Sequence, residues 1–233
     1  SGLRGKTKEA RIFDFYRKIG DHLAHILFFP TKSCELNLRK EKVKGKLVYI
    51  GSPVSEVVKS VLKNKPKAKF RRGKFIFVTV TRSLYNKAKA MEFVKTLQSI
   101  QTNVLVQLSP RMHKNLQKYG LLEKLNSKKI SFVDEMDYTD VIHAIKNSLL
   151  VITDSHGIQE ECAVLKKPCI VTSDFIHYPE LVEHKVASVT GWNSEKILKT
   201  VKHHLAKKVP IKTPEFYNGS AAVHAVNFLE RLL

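Results

Sequence analysis

Short apolar, β-branched runs alternate with segments of helical periodicity along almost the whole chain, and this alternation constrains the fold more than any other feature. Eight such runs are predicted to be strands: Ile26–Phe29, Leu47–Ile50, Phe75–Val80, Val104–Leu108, Ile130–Val133, Leu149–Thr153, Cys169–Thr172 and Ala187–Thr190. Because the runs are continuous rather than alternating, we expect them to be buried on both faces. Strands that alternate with helices form right-handed βαβ units, so the sequence predicts a doubly wound, parallel α/β sheet.

Several of the intervening segments have the 3.6-residue period of amphipathic helices. Ala88–Ile100 carries an apolar stripe that starts at Met91, Glu195–Leu205 carries another, and Ala221–Leu232 is predicted to be a last helix. The charged, proline-containing stretch 64–74 interrupts the alternation and is interpreted as a linker. With 233 residues, the chain has room for one complete α/β domain and part of a second.

The net charge of +20, from 41 Lys and Arg against 21 Asp and Glu, favours anionic partners. Phosphates, nucleic acid and a membrane surface fit that preference, and a lysine-rich solvated surface explains the charge equally well. The densest basic stretch, Lys63–Lys74, has one aromatic residue, Phe70, and no glycine–aromatic RNA-binding motif, so nucleic acid is not the expected partner. No apolar run reaches the roughly 18 residues of a membrane span, and we expect none.

The three cysteines, Cys34, Cys162 and Cys169, have no CxxC spacing, and no His/Cys cluster has the spacing of a metal site. Cys162 and Cys169 have apolar neighbours and are expected to be small buried hydrophobic residues. Unpaired cysteines of this kind favour a reducing, cytoplasmic setting. We expect no metal and no cofactor.

The most informative stretch is Leu149–Pro168, in which a buried strand gives way to a helix. The strand is expected to end at Thr153, and residues 154–157 form a tight turn before a helix from about Ile158 to Leu165. In an open α/β sheet, ligands bind outside the carboxyl ends of the strands. A helix start offers unpaired N–H groups and the positive end of the helix dipole, so this turn is a candidate phosphate site.

Three side-chain positions support a nucleotide at this turn. Ser155 can occupy the N-cap position and add a hydroxyl, and Gly157 lets the backbone approach a ligand closely. Glu161 lies about one and a half turns into the helix, where its carboxylate could accept hydrogen bonds from ribose hydroxyls. An ordinary capped helix is the alternative explanation.

Residues 154–161, with the sequence Asp-Ser-His-Gly-Ile-Gln-Glu-Glu, resemble the DSGGIQEE nucleotide-binding motif of the UDP-N-acetylglucosamine 2-epimerase family. Lys167-Pro168 and Pro179-Glu180 are similar to the GKP and RPE segments that follow in the family. Further landmarks appear in the family's order: Gly2-Leu3-Arg4, Arg17 with Asp21-His22-Leu23, Phe29-Pro30-Thr31 with Asn37-Leu38, Gly51-x-Pro53-Val54, and Tyr217-x-Gly219-x-Ala221. The resemblance covers essentially the whole chain.

The resemblance implies an α/β fold with two Rossmann-like, doubly wound domains of the epimerase and glycosyltransferase-B type, of which the first is incomplete. Residues 1–63 would be the remainder of the N-terminal domain, 64–74 the basic linker and 75–212 the C-terminal nucleotide-binding domain. Residues 213–233 would form a C-terminal helix that packs back on the first domain.

The resemblance also implies that UDP-N-acetylglucosamine and UDP-N-acetylmannosamine are interconverted by elimination of UDP to a glycal and its re-addition. Ser155, His156 and Gly157 would bind the leaving diphosphate, and Glu161 would bind the ribose. Tyr178 stands where the family has a phosphate-binding arginine and is the fifth candidate UDP-binding residue. The implied partners are a UDP-sugar and either a missing N-terminal segment or a homodimer partner.

The sequence departs from the family pattern where acid–base chemistry is expected. The carboxylate before the family's GLR segment is absent because the chain starts at Ser1, and only Asp14 lies near the position of the PEE carboxylates. Thr81 stands where the family has its catalytic histidine, and threonine does not titrate near neutral pH. Arg82 matches the arginine after that histidine, so Asp14, Arg82 and His156 are the candidate catalytic residues.

These departures leave other functions open. A degenerate, non-catalytic module that binds nucleotide sugars fits the missing acid–base groups, and a related glycosyltransferase would share the phosphate site but not the GLR and NRxxxDHL segments. A nucleic-acid binder rests on charge alone. His156 and His177 are expected in loops at the mouth of the site, where they contact phosphate, replace the missing acid or are simply solvated.

Overall fold

The computed structural model describes residues 1–5, 8–66, 74–80, 86–134, 136–207 and 210–232. Within these ranges the chain forms two parallel β-sheets, one of two strands and one of six. Thr81 and Arg82, which the sequence analysis singled out, lie outside the described residues, as does most of the basic stretch, residues 67–73.

The smaller sheet pairs β1 (Ile26–Phe29) with β2 (Lys46–Tyr49) in parallel. The helix α2 (Lys32–Lys40) connects the two strands and is the crossover that a parallel pair requires. The helix α1 (Lys8–Leu23) precedes β1, and α3 (Val54–Val61) follows β2.

The larger sheet contains β3 (Phe75–Thr79), β4 (Asn103–Gln107), β5 (Ile130–Val133), β6 (Val151–Thr153), β7 (Cys169–Val171) and β8 (Ala187–Val189). Their order is β5-β4-β3-β6-β7-β8, and each neighbouring pair is parallel. This is the doubly wound order of a Rossmann fold, in which the direction of winding reverses between β3 and β6. The helices that follow are α4 (Lys87–Ser99), α5 (Pro110–Lys118), α6 (Tyr138–Asn147), α7 (His156–Val164), α8 (Glu180–Glu183), α9 (Ser194–Ala206) and α10 (Ala221–Glu230).

Burial on both faces explains why the central strands of the larger sheet are continuous apolar runs. Along β3, Phe77 belongs to one core layer and Val78 to the layer on the opposite face. Every residue of β3, β6 and β7 is buried. The expectation of burial on both faces is wrong for β2, whose end residues Lys46 and Tyr49 are exposed because β2 is an edge strand of a two-stranded sheet.

The buried face of α4 differs from the predicted stripe at its first member. Met91 is 52% exposed, whereas Ala90, Phe93 and Leu97 are buried. Phe93 packs edge-on against Trp192 with 5.6 Å between the ring centroids, and this large aromatic contact sets which side of the helix faces the core.

The two sheets are joined by a shared apolar core. Leu27 of β1 and Val58 of α3 belong to the same cluster of buried residues as Cys162 of α7, and α3 packs against α7. Gly51 has φ of 82°, and a side-chain carbon there would lie 2.8 Å from the carbonyl oxygen of Phe216. Glycine is therefore required where the loop after β2 meets the C-terminal segment.

The C-terminal helix α10 contacts the smaller sheet and α3. Phe228 lies edge-on to Phe28 of β1, with 6.0 Å between the ring centroids. The N–H of Ala222 donates to Oε1 of Glu56 over 2.9 Å. The domain boundaries given above stay predictions.

The buried positions of Cys162 and Cys169, both fully enclosed, confirm the interpretation of these residues as small hydrophobic side chains. Cys34 is buried as well, at the start of α2. Among the helices of the described residues, none combines the length and the apolar content needed to cross a bilayer.

Candidate functional site

The candidate site lies where the winding of the larger sheet reverses. The neighbouring strands β3 and β6 end at Thr79 and Thr153, which are partners in the strand register. The helices that follow them, α4 and α7, pack into the core layers on opposite faces of the sheet. The carboxyl ends of two such neighbouring strands are the place where Rossmann-like folds bind ligands.

The helix α7 starts just after the carboxyl end of β6, two residues earlier than predicted, so His156 is its first residue rather than part of a loop. Ser155 occupies the N-cap position, as predicted, but its hydroxyl makes no capping hydrogen bond. A side-chain carbon at Gly157 would meet no atom nearer than the Ser155 hydroxyl oxygen, at 3.9 Å. The helix start therefore has open space at Gly157 with the Ser155 hydroxyl beside it, and the first N–H groups of a helix have no partner within the helix.

Glu161 lies further along α7 and is only 6% exposed. Its carboxylate accepts a hydrogen bond from Tyr138, the first residue of α6, but its Oε2 atom is buried without a hydrogen-bond partner. Burial outweighs the bond from Tyr138 and raises the pKa of Glu161. A buried carboxylate oxygen without a donor is costly, which makes Oε2 a candidate acceptor for a ligand hydroxyl.

Glu160, the other carboxylate of the motif, contacts residues that lie outside α7. Its Oε1 atom accepts hydrogen bonds from the hydroxyl of Ser52, after β2, over 3.0 Å and from the hydroxyl of Tyr217 over 3.2 Å. Burial, reinforced by the charge of Glu161, outweighs these two bonds and raises the pKa of Glu160 to about 7. Glu160 therefore links α7 to the loop that follows the smaller sheet.

His156 and His177 are in direct contact, with 4.1 Å between the ring centroids and 75° between the ring planes. His177 is 9% exposed and also lies edge-on to Phe175, so it is not a solvated loop residue. Its Nδ1 lies 3.2 Å from the carbonyl oxygen of Arg4. Because a carbonyl only accepts, Nδ1 carries the hydrogen, and in a neutral ring Nε2 is then an acceptor.

Asp14 lies on α1 and contacts the N-terminal segment, residues 1–5, that His177 also contacts. Gly5 donates its N–H to Oδ2 of Asp14 over 2.8 Å, and Arg17 donates to Oδ1 over 3.0 Å. Arg4, Gly5 and Asp14 line an open depression in the surface. The structure therefore connects Asp14 to the histidine pair through residues 4 and 5, although both carboxylate oxygens are already engaged. The catalytic assignments of Asp14 and His156 stay predictions.

Tyr178 is 8% exposed and packs against Phe216, with 6.3 Å between the ring centroids. Burial raises the pKa of its hydroxyl. Two residues on, Oε1 of Glu180 accepts a hydrogen bond from the N–H of Ser33, at the start of α2, over 3.0 Å. In this arrangement the Tyr178–Glu180 segment connects the larger sheet to the smaller one. A phosphate contact by Tyr178 stays a prediction.

The described part of the chain contains no group of three or more His, Cys, Asp or Glu side chains arranged to hold a metal ion.

Sequence comparison decides the family. The family model for UDP-N-acetylglucosamine 2-epimerases matches residues 1–230. This chain belongs to the UDP-N-acetylglucosamine 2-epimerase family. The UDP-N-acetylglucosamine 2-epimerase of Methanocaldococcus jannaschii is 30% identical over 230 residues, which cover 91% of this chain and 63% of that relative. The enzyme of the same name from Methanococcus maripaludis is 28% identical with the same two coverages. The chain thus spans less than two thirds of the length of these epimerases.

Solved epimerase structures confirm the fold. The M. jannaschii UDP-GlcNAc 2-epimerase, in complex with UDP-GlcNAc and UDP, is 29% identical and superposes with a TM-score of 0.87, covering 99% of this chain and 67% of that chain. A glycosyltransferase involved in lipopolysaccharide biosynthesis has a TM-score of 0.50 at 11% identity, covering 96% of this chain and 64% of that chain, and shows the fold alone. The predicted α/β fold of the epimerase and glycosyltransferase-B type is therefore confirmed.

Sequence reasoning missed Tyr138, Ser52 and Tyr217, the residues that hold the two motif carboxylates. Tyr138 had a detectable signal, because it is the first residue of a helix after the carboxyl end of β5, as His156 is after β6. Ser52 and Tyr217 lie within segments already matched to the epimerase family, but their spacing gives no sign that both reach Glu160.

Proposed function

We propose that this chain forms the nucleotide-binding part of a UDP-N-acetylglucosamine 2-epimerase, which interconverts UDP-N-acetylglucosamine and UDP-N-acetylmannosamine by eliminating and re-adding UDP. The observation that carries the proposal is Glu161, a buried carboxylate whose Oε2 atom has no donor, on a helix with open space around Gly157 in its first turn. A nucleoside diphosphate satisfies both features, with its phosphates at the helix start and a ribose hydroxyl on Glu161. The relative solved with UDP-GlcNAc and UDP supports this choice of ligand.

In this reaction UDP leaves the sugar, so negative charge develops on the diphosphate. The N–H groups of His156 and Gly157 and the hydroxyl of Ser155 lie at the positive end of α7 and stabilise that charge. His156 adds a ring nitrogen donor at the same point, and its contact with the buried ring of His177 fixes its position.

Proton transfer at C2 needs positioned acid–base groups, for which His156 and Asp14 are the candidates among the described residues. Both oxygens of Asp14 accept hydrogen bonds from within the chain. In this proposal further acid–base groups come from a segment that completes the first domain or from a homodimer partner. The three buried free cysteines favour a cytoplasmic setting for this activity. A non-catalytic nucleotide-sugar-binding module is the second candidate, and the engaged carboxylate of Asp14 is the observation that favours it.

Removing the diphosphate contacts should weaken UDP binding. We expect Ser155→Ala combined with Gly157→Val to raise the Kd for UDP at least tenfold, about 1.4 kcal/mol, because a hydroxyl donor is lost and the valine side chain fills the space at the helix start. Titration calorimetry measures the change. The matched control is Ser99→Ala with Gly20→Val, since Ser99 is exposed and a side-chain carbon at Gly20 meets no atom within 4 Å. Equal affinity of the wild type and the first double variant would refute the phosphate site.

Glu161→Gln should abolish the preference for ribose over deoxyribose. The amide keeps the shape of the side chain but loses a charge-assisted acceptor, which is worth about 2 kcal/mol in a desolvated site. Wild type should bind UDP more tightly than 2′-deoxy-UDP, and the variant should bind both with similar affinity. The experiment is a competition titration of both ligands, with Glu195→Gln, an exposed carboxylate on α9, as the control. An unchanged preference in the Glu161 variant would exclude its contact with the ribose.

A further inference from the structure

The carboxylate of Glu161 is held by a side chain from a different helix. Tyr138, the first residue of α6, donates its hydroxyl to this carboxylate. The helices α6 and α7 pack against each other, so the bond lies across their contact. Tyr138 is 41% exposed, whereas Glu161 is 6% exposed. The bond therefore joins a side chain that reaches the surface to a carboxylate that does not.

Tyr138 is the donor in this hydrogen bond and Glu161 the acceptor. Burial, reinforced by the charge of Glu161, raises the pKa of Tyr138, so its hydroxyl keeps its proton near neutral pH. An ionised carboxylate has no hydrogen to donate. One oxygen of Glu161 is thus engaged, and the other, Oε2, has no hydrogen-bond partner among the described residues. A carboxylate held in this way presents a single acceptor in a defined direction.

The start of α6 does not depend on the hydroxyl of Tyr138. Asp137 occupies the N-cap position, and its side chain accepts from the N–H of Asp140 over 2.9 Å. This bond satisfies the first turn of the helix in the usual way. The apolar residues by which α6 packs into the core lie further along the helix: Val141, Ile142, Ala144 and Ile145. The hydroxyl of Tyr138 thus serves Glu161 rather than the helix that carries it.

We propose that Tyr138 is a positioning residue for ribose recognition, whose hydroxyl holds one oxygen of Glu161 and thereby directs Oε2 towards a hydroxyl of a bound ribonucleotide. The proposal rests on the nucleotide site proposed above and adds that the selection of ribose requires two residues from two helices. Tyr138 also keeps Glu161 in its better accepting form. Burial raises the pKa of Glu161 and the bond from Tyr138 lowers it, so loss of that bond favours the neutral carboxyl, which is the weaker acceptor.

Competition between Tyr138 and the ribose is the opposite role, in which the ligand hydroxyl displaces the tyrosine from the carboxylate. The free Oε2 atom favours positioning, because a ligand hydroxyl gains an acceptor there without breaking the existing bond. The two roles predict effects of opposite sign. Removal of the Tyr138 hydroxyl weakens UDP binding if the tyrosine positions Glu161 and strengthens it if the tyrosine competes.

The test is Tyr138→Phe, which removes the hydroxyl and keeps the ring. Titration calorimetry at pH 7 gives the Kd values of UDP and 2′-deoxy-UDP, whose ratio measures the preference for ribose. We expect the Kd for UDP to rise and this preference to fall at least about threefold, because hydrogen bonds to charged groups are among the stronger ones. The matched control is Tyr16→Phe on α1, where the tyrosine is 67% exposed, and both Kd values should stay at their wild-type level.

The pH profile of the preference separates positioning from a purely structural role. The preference needs an ionised Glu161, so it is present above the pKa of Glu161 and is lost as the pH falls through it. In Tyr138→Phe the loss should begin at higher pH, because the bond that lowers the pKa is gone. The titratable side chains that interact with Glu161 among the described residues are Tyr138, Glu160 and Cys162. Glu160 and Cys162 are the same in both proteins, and the ratio of the two Kd values cancels the titration of the diphosphate.

A double-mutant cycle with Glu161→Gln shows whether Tyr138 acts through Glu161. Once residue 161 is glutamine, Tyr138→Phe should change the preference for ribose by less than about twofold, because residues that act through one contact are not additive. Circular dichroism of each variant checks that the chain is folded.

Three results would overturn the proposal. The first is a Tyr138→Phe variant with the preference and the pH profile of wild type. The second is tighter UDP binding by that variant, which would make the hydroxyl a competitor of the ribose. The third is an effect that persists undiminished in the Glu161→Gln background, which would make Tyr138 a direct ligand. A wild-type chain that does not bind UDP would refute the nucleotide site as well, whereas the three results above leave that site intact.

Discussion

The 233-residue chain by itself should exchange the C2 hydrogen of UDP-N-acetylglucosamine with deuterated water too slowly for easy detection, even with the nucleotide bound. Each positioned acid or base contributes about 10²–10⁴-fold to a rate, so the loss of more than one is a very large effect. The sequence has Thr81 at the position of the family's histidine, and the structure ties up both oxygens of Asp14 with Gly5 and Arg17.

The measurement is NMR of the sugar in deuterated water, with calorimetry under the same conditions to show that the nucleotide sugar is bound. The M. jannaschii relative serves as the positive control. Rapid exchange by the isolated chain would show that His156, His177 or Asp14 has taken over the acid–base role.

The sheet could be predicted from the sequence because burial on both faces leaves a local signal. The predicted strands Ile26–Phe29 and Ile130–Val133 coincide with β1 and β5, and the run Leu149–Thr153 differs from β6 only at its start. An apolar run of four to six residues between helical segments indicates a buried strand. The order of the strands was not predicted, since it depends on contacts between residues far apart along the chain.

The orientation of α1 shows what periodicity leaves undetermined. An amphipathic pattern predicts a stripe, but the stripe alone does not say which face meets the protein. Here the carboxylates of Asp14 and Asp21 bind the N-terminal segment, and the apolar side turns outward. That outcome depends on hydrogen bonds to Gly5 and Arg4, which no local pattern in α1 reveals.

The two carboxylates of the motif also show that a local sequence pattern does not reveal which distant residues a side chain contacts. Glu160 and Glu161 are neighbours on α7, and successive helical residues point about 100° apart. The sequence analysis assigned the ribose to Glu161 from the family motif and gave no role to Glu160. The structure gives Glu160 two donors, Ser52 and Tyr217, that lie outside α7 and more than fifty residues away along the chain.

Glu160→Gln should stabilise the protein at neutral and alkaline pH. The carboxyl pKa rises from 4.5 to about 7 on folding, because the site is buried and Glu161 is close. An acid with a raised pKa binds its proton more tightly in the folded state, so its contribution to stability is greatest below pH 4.5, falls between pH 4.5 and 7, and is constant above. The amide stays neutral and still accepts from Ser52 and Tyr217, so the variant avoids a penalty of up to about 3 kcal/mol above pH 7.

The difference in the free energy of unfolding between Glu160→Gln and wild type, measured as a function of pH, isolates the contribution of Glu160. Asp21 and Glu41 have lowered pKa values and remove stability as the pH falls, but they act equally on wild type and variant. Tyr178 and Tyr217, which face Glu160, keep their protons in this range because burial raises the pKa of both.

Urea unfolding at intervals between pH 5 and 8 measures the effect. The advantage of Glu160→Gln over wild type should grow by about 1.4 kcal/mol for each pH unit and level off near pH 7. Glu183→Gln, at an exposed carboxylate of α8, is the matched control, and its free energy of unfolding should depend on pH as that of wild type does. The contrary result is a free energy of unfolding that has the same pH dependence in Glu160→Gln as in wild type. It would mean that the carboxyl of Glu160 is solvated and does not join α7 to the loop after the smaller sheet.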